Sequence, residues 1–310
     1  MNIVEYIRSA LVGTPKGRAA YREALRSNPS IRSGLEALHS VCGESGDTTE
    51  SPIFLLSAGW RSGSTLLQRL IMSDPEVLVW GEPYDECGII QAMAEPLKAF
   101  RPGWPPDDYL YKAGTRPQEL TSAWVANLFP DMNVLRAGYR AFFDTTFGAF
   151  AREAGAGRWG IKEVRLDASH AFFLQWLYPN AKFIFLYRNP LASYRSYCRY
   201  GRDWYDTYPD KPVLTPWAFG RHWRRLMEDF SASAETLGAM MLSYEELSSA
   251  SPELIRRLEE HLEVKLDPGI LQKKVGTSER GGEKPWVSRL EWIILKRAVG
   301  PVALSLGYDF

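Results

Sequence analysis

The chain is poor in cysteine and histidine and carries no net charge: three cysteines, four histidines, and 37 lysines and arginines against 37 acidic residues in 310. Cys42, Cys87 and Cys198 are widely separated and odd in number, so they form neither a disulfide framework nor a zinc spacing, which suits a reducing cytoplasm. Charge balance removes the global basic field that nucleic acid or an anionic membrane surface would require, so any basic site has to be local. No apolar run reaches the length of a membrane span, and Met1 to Gly13 lacks the basic start and long apolar centre of a signal peptide. Repeats and low-complexity tracts are missing too. What is abundant is hydrophobic material, 45% of the residues, enough for the core of one large α/β domain covering 1–310.

That domain is organised around Ile53 to Pro83. Ile53 to Leu56 is a short unbroken apolar run, as a strand buried on both faces requires, and it stops at Ser57, Ala58 and Gly59. Leu66, Leu67, Leu70 and Ile71 then fall at helical spacing until Asp74-Pro75, and Val77 to Trp80 reads as a second strand. The intervening loop therefore sits on a helix N-terminus, where unpaired N–H groups and the helix dipole make a phosphate or sulfate cradle. A nucleoside-triphosphate loop reads G-x-x-x-x-G-K-[ST]; here Ala58 opens the frame, Gly63 closes it, and Ser64-Thr65 replace Lys-Ser/Thr. The lysine is gone. A cation stands inside the loop instead, at Arg61, from which a guanidinium can reach the bridging oxygen of a phosphate leaving group.

The run Trp60-Arg-Ser-Gly-Ser-Thr-Leu-Leu67 resembles the 5′-phosphosulfate loop of sulfotransferases that use 3′-phosphoadenosine 5′-phosphosulfate (PAPS), in the variant with Arg for Lys. The resemblance implies a P-loop-NTPase-like parallel sheet flanked by helices. It also implies cofactor contacts from Arg61, Ser62, Gly63, Ser64 and Thr65, and no metal. A second segment carries it further. The strand Ala181 to Tyr187 ends in Arg188-Asn-Pro and leads into a helix through Tyr194, Ser196 and Tyr197, at the edge where such sheets bind ligands. This resembles the family's 3′-phosphate motif, an arginine at the strand end and a serine eight residues later, and so points to Arg188 and Ser196, with Ser193 an off-register competitor. A dianionic phosphate calls for that fork-shaped cation and hydroxyl. Tyr244-Glu-Glu-Leu resembles a structural segment of the family, and Arg280-Gly-Gly-Glu-Lys-Pro-Trp echoes loosely its late nucleotide-binding segment, which would give Arg280 a cofactor contact.

Sulfuryl transfer needs a base for the acceptor proton and cations around the transition state. Lys162 matches the family's lysine on the second strand, but Val164 occupies the place of the histidine base of the soluble small-molecule branch. The carbohydrate and protein-tyrosine branches, which put a glutamate after the loop helix and strand, are more similar; Glu82 is that residue, and Glu163 is the other candidate. His39, His170, His222 and His261 fall in predicted helices away from these motifs and read as packing or surface residues. Animal Golgi members carry an N-terminal anchor, and none is read here.

Around this frame, residues 1–50 read as a helical extension and polar linker, and 84–157 as an inserted cap. Within the cap, Thr121 to Phe129 and Val134 to Phe150 have helical patterns, and Trp104, Tyr109, Tyr111 and Trp124 are candidates to line an acceptor pocket. The expected activity is transfer of the sulfuryl group of PAPS to a hydroxyl, or as second choice an amine, of a small molecule or glycan in the cytoplasm, with Glu82 as base and Arg61 and Lys162 as transition-state cations. A nucleotide-dependent kinase is opposed by the missing loop lysine. A non-catalytic nucleotide-binding module is opposed by the joint presence of Arg61, Lys162 and Glu82.

Overall fold

The computed structural model describes residues 30–39, 48–84, 87–112, 114–122, 125–199, 213–272 and 287–309, with 3–4, 8, 12 and 14–19 near the start. Five strands form one parallel sheet: β1 (Ile53–Ser57), β2 (Val77–Trp80), β3 (Arg158–Glu163), β4 (Lys182–Tyr187) and β5 (Met240–Ser243), in the order β2-β3-β1-β4-β5. β1 is central and all five of its residues are buried, the reason it reads as an unbroken apolar run. The strand period of two sends Phe54 and Leu56 to one face with Trp159, Phe183 and Phe185, and Ile53 and Leu55 to the other with Ile184 and Leu186. The chain leaves β1 for β2 and later returns to place β4 on the opposite side. A crevice at the carboxyl ends of the strands is expected at such a reversal.

Helices cover both faces. In chain order they include α1 (Ile31–His39), α2 (Ser64–Ile71), α3 (Met132–Phe143), α4 (Ala168–Leu177), α5 (Pro190–Cys198), α6 (Pro216–Leu237), α7 (Tyr244–Ser249), α8 (Pro252–Leu262) and α9 (Arg289–Ser305). Their starts are written in the sequence: Asp167 caps α4, Thr215 caps α6, and Ser288 with Glu291 makes a capping box on α9. Among the described residues, no helix is long and apolar enough to cross a membrane.

The cap departs from its pattern. Among the described residues of Thr121 to Phe129 no α-helix forms: one short helical turn occupies Pro117–Ser122, and the Phe129 backbone bridges instead to 109–111, with Tyr111 N–H donating to Phe129 O at 2.9 Å and Phe129 N–H to Tyr109 O at 3.0 Å. Pro130 favours that outcome, because a residue before proline is pushed to extended backbone. α3 ends at Phe143, and the chain widens into a broader helical turn over Asp144–Ala149. Trp80 donates its indole N–H to the Phe147 carbonyl at 3.1 Å from β2, so the irregular turn is tied to the sheet.

Candidate active site

The loop after β1 is shaped by three left-handed residues, Gly59, Arg61 and Gly63, alternating with residues that are not. Such alternation turns successive N–H groups toward one side, as anion-binding nests do. Glycine meets this demand cheaply at 59 and 63. Arg61 does not, and strained backbone of this kind persists where function holds it. At Gly63 there is a second constraint: a Cβ there would stand 2.3 Å from Cδ2 of Tyr244, the first residue of α7, whose ring lies against the loop.

Tyr244 also carries the strand-end arginine. The Arg188 guanidinium stacks over its ring at 4.1 Å and donates to the Arg61 carbonyl at 3.1 Å, while Trp223 on α6 donates its indole N–H to the Arg188 carbonyl at 3.1 Å. Arg61 Nε donates to Ser196 Oγ at 3.0 Å. Arg61, Arg188 and Ser196, drawn from β1's loop, β4's end and α5, thus form one connected set, whereas Ser193 is buried within α5. Ser62 is 1% exposed, and its hydroxyl has no hydrogen-bond partner among the described residues, nor has Arg188 Nε. Buried donors without acceptors beside a glycine-shaped curl fit an anionic ligand such as a phosphosulfate. Ser64 is buried at the start of α2 and Thr65 is exposed there; Arg280 lies outside the described residues.

The second half of the site stands at the ends of β2 and β3. Trp80 pairs with Ile161, so Glu82 comes level with the last residues of β3. Its two oxygens accept from Lys162 Nζ at 2.5 Å and from Arg165 at 3.0 Å. Lys162 is 5% exposed, Glu163 3%, while the Glu82 side chain keeps 25% of its surface open, which makes it the accessible carboxylate of the two. Glu163 accepts from the N–H groups of Val164 (2.8 Å) and Arg165 (3.1 Å). Burial, and then the negative charge of Glu82, nevertheless push its pKa up from 4.5 to about 7, against the pull of those donors and the Arg165 guanidinium.

Two contributors escape a reading of motifs. Arg165, two residues past β3, holds Glu82; a charged residue directly after a buried strand is the only signal for it. His222 is on a helix as expected but not away from the loop: its ring lies 5.4 Å from that of Trp60, and a Cβ on Gly59 would stand 3.7 Å from it. Helical periodicity says which face of α6 is apolar but not that this face leans on the loop. Of the cap aromatics, Trp104 and Tyr109 line an apolar cavity of about 810 Å³, the Tyr111 hydroxyl donates instead to the Thr115 carbonyl, and Trp124 is outside the described residues.

Among solved structures, the sulfotransferase domain of the Synechococcus PCC 7002 olefin synthase shares 18% identity over 86% of this chain and 100% of its own, at a TM-score of 0.44. The sulfotransferase STF9 from Mycobacterium avium shares 15% over 90% and 80%, at a TM-score of 0.39. No curated protein sequence matches. The profile described as the sulfotransferase family matches residues 52–268, from the residue before β1 to just past α8, and so takes in the loop, both strand-end clusters and every strand of the sheet. The chain belongs to the sulfotransferase family.

Proposed function

We propose that this sulfotransferase uses PAPS and delivers the sulfuryl group to a hydroxyl, or as second choice an amine, of a small-molecule or glycan acceptor. The observation that carries the reading is the joining of Arg61, Arg188 and Ser196 into one set beside a loop without the kinase lysine. A ligand with phosphate groups at both ends of its ribose needs two cation sites, and an ATP-type loop needs one. In the same reading Glu82 accepts the acceptor proton as the new oxygen–sulfur bond forms and the bond from sulfur to the 5′-phosphate oxygen breaks, leaving adenosine 3′,5′-bisphosphate. Lys162 has three ammonium protons, so it can hold Glu82 and still donate to the oxygens that gain charge. Arg61 acts on the leaving phosphate, with Ser62, Gly63, Ser64 and Thr65 around it, and Arg280 is assigned to the nucleotide by resemblance alone. The reaction is assigned to the cytoplasm, in keeping with three cysteines too scattered and too odd in number for a disulfide framework.

Calorimetric titration with adenosine 3′,5′-bisphosphate, AMP and magnesium–ATP tests this. The bisphosphate should bind without magnesium and more tightly than AMP by about one to two decades, the worth of one charge-assisted contact. Arg188→Ala should erase that preference and leave AMP affinity little changed. Equal affinity for AMP and bisphosphate in the wild type, or tight binding of magnesium–ATP alone, would overturn the assignment and revive the kinase.

A further inference from the structure

Between the cap residues 87–98 and helices α6 and α9 opens a cleft of about 1100 Å³. Two of its wall residues touch the candidate site. Arg165, in its wall, contacts Glu82 at 3.0 Å, and His222, also in its wall, packs on Trp60 of the loop. The chain is neutral overall, but this wall is not: Lys98, Arg165, Arg221, Arg224, Arg225 and Arg297 face Glu95, Asp167 and Glu228. Most of these cations are answered, Lys98 by Glu95 at 2.6 Å, Arg224 by Glu228 at 2.8 Å, Arg225 by Asp167 at 3.3 Å and Arg165 by Glu82. Arg221 and Arg297 form no ion pair among the described residues, and both are exposed to the cleft. Packing explains how both come to line it. A Cβ on Gly220 would lie 2.6 Å from the Ala298 side chain, so α6 and α9 approach closely there, and Arg221 and Arg297 are the chain neighbours of those two residues.

We propose that this cleft is the acceptor site and that it selects an acceptor bearing an anionic group, a carboxylate, sulfate or phosphate, held by Arg221 and Arg297 while its hydroxyl lies at Glu82. The inference rests on the transfer reading above for the identity of the reacting group. A local cationic rim on a neutral protein attracts an anionic ligand without making the whole surface sticky for polyanions.

The test uses pyranine, a hydroxypyrene trisulfonate, followed by fluorescence anisotropy with the full-length protein, with and without saturating adenosine 3′,5′-bisphosphate. Saturable binding that weakens roughly tenfold or more in the Arg221→Glu/Arg297→Glu protein, while bisphosphate affinity measured by calorimetry stays the same, is the expected result. Displacement of the dye by 4-hydroxybenzoate or by 4-hydroxyphenyl phosphate, and not by neutral 4-hydroxybenzyl alcohol, supports the proposal, and the stronger competitor names the anion. Equal affinity for wild type and variant, no binding at all, or displacement by the neutral alcohol as good as by the anions would overturn it. So would competition between the dye and the bisphosphate, which would place the dye in the nucleotide site. If the wild type binds pyranine through these arginines and fails to bind the bisphosphate, the nucleotide reading fails and the anion cleft stands.

Discussion

Two carboxylates meet where β2 and β3 end, and their surroundings give them different work. Glu82 keeps a quarter of its side-chain surface open and is bracketed by Lys162 and Arg165; Glu163 has lost nearly all of its water. General-base catalysis is worth about two to four decades, so Glu82→Gln, which keeps the shape but turns one of the two accepting oxygens into a donor and removes the charge, should lose most of its turnover while retaining nucleotide binding. Glu163→Gln should remain active, because the group it replaces is sealed from an acceptor; the reverse pattern in steady-state assays would mean that Glu163 is the base. The same variant carries a stability signature. With a folded pKa near 7 against 4.5 when exposed, Glu163 keeps its proton in the fold after the unfolded chain has released it. Stability should therefore fall as pH rises from about 4.5 to 7 and level off above, a loss on the order of 3 kcal/mol at 1.36 kcal/mol per unit. Denaturant midpoints at pH 5 and pH 8 should differ less in Glu163→Gln than in the wild type; an unchanged difference would show that burial of Glu163 is not its source.

At the scale of elements, Gly63 joins the loop to α7. Alanine there would have to take a left-handed backbone, a cost of about 1–2 kcal/mol, and would also press on the Tyr244 ring. Gly63→Ala should lower the melting temperature and weaken bisphosphate binding, and adding Tyr244→Ala should recover only the part due to the contact; full recovery would show that the backbone angle costs nothing. The strand–loop–helix unit holding Gly63 was legible in the sequence because each signal is local: an apolar run, small residues, a helical period, a stop at Asp74-Pro75. The same holds for β4 with Arg188 at its end. What was not legible depends on distant partners. Helical spacing in 121–129 yielded to a backbone bridge with 109–111, and α3 widened where Trp80 draws on the Phe147 carbonyl. Arg165 and His222 acquire their places only when β3 and α6 are set against the loop. The cleft's charge is hidden for the same reason, since its cations come from the cap, the end of β3, α6 and α9.

Across the molecule, cap and sheet are not packed separately. One hydrophobic cluster runs from Ile31 and Leu35 of α1 through Phe54 and Phe183 of the sheet to Met132, Phe143 and Phe147 of the cap and on to Trp223 of α6 and Leu295 of α9. The opposite face of the same strands carries a second cluster with Leu67, Leu70 and Leu258 from α2 and α8, so losing either cluster strips one face of β1 and β4. We therefore expect a single unfolding unit, with one calorimetric peak whose van't Hoff and calorimetric enthalpies agree. A ligand bound only by the folded chain stabilises it by RT ln(1 + [L]/Kd), about 2.7 kcal/mol at one hundred times Kd. At the usual unfolding entropy per residue, a chain of 310 residues should then melt about 4 °C higher with the bisphosphate. The whole peak should move, and the shift should shrink in Arg188→Ala at the same ligand concentration. Two peaks, of which only one follows the nucleotide, would show that the cap melts on its own and that Phe143 and Phe147 do not couple it to the strands that carry the loop.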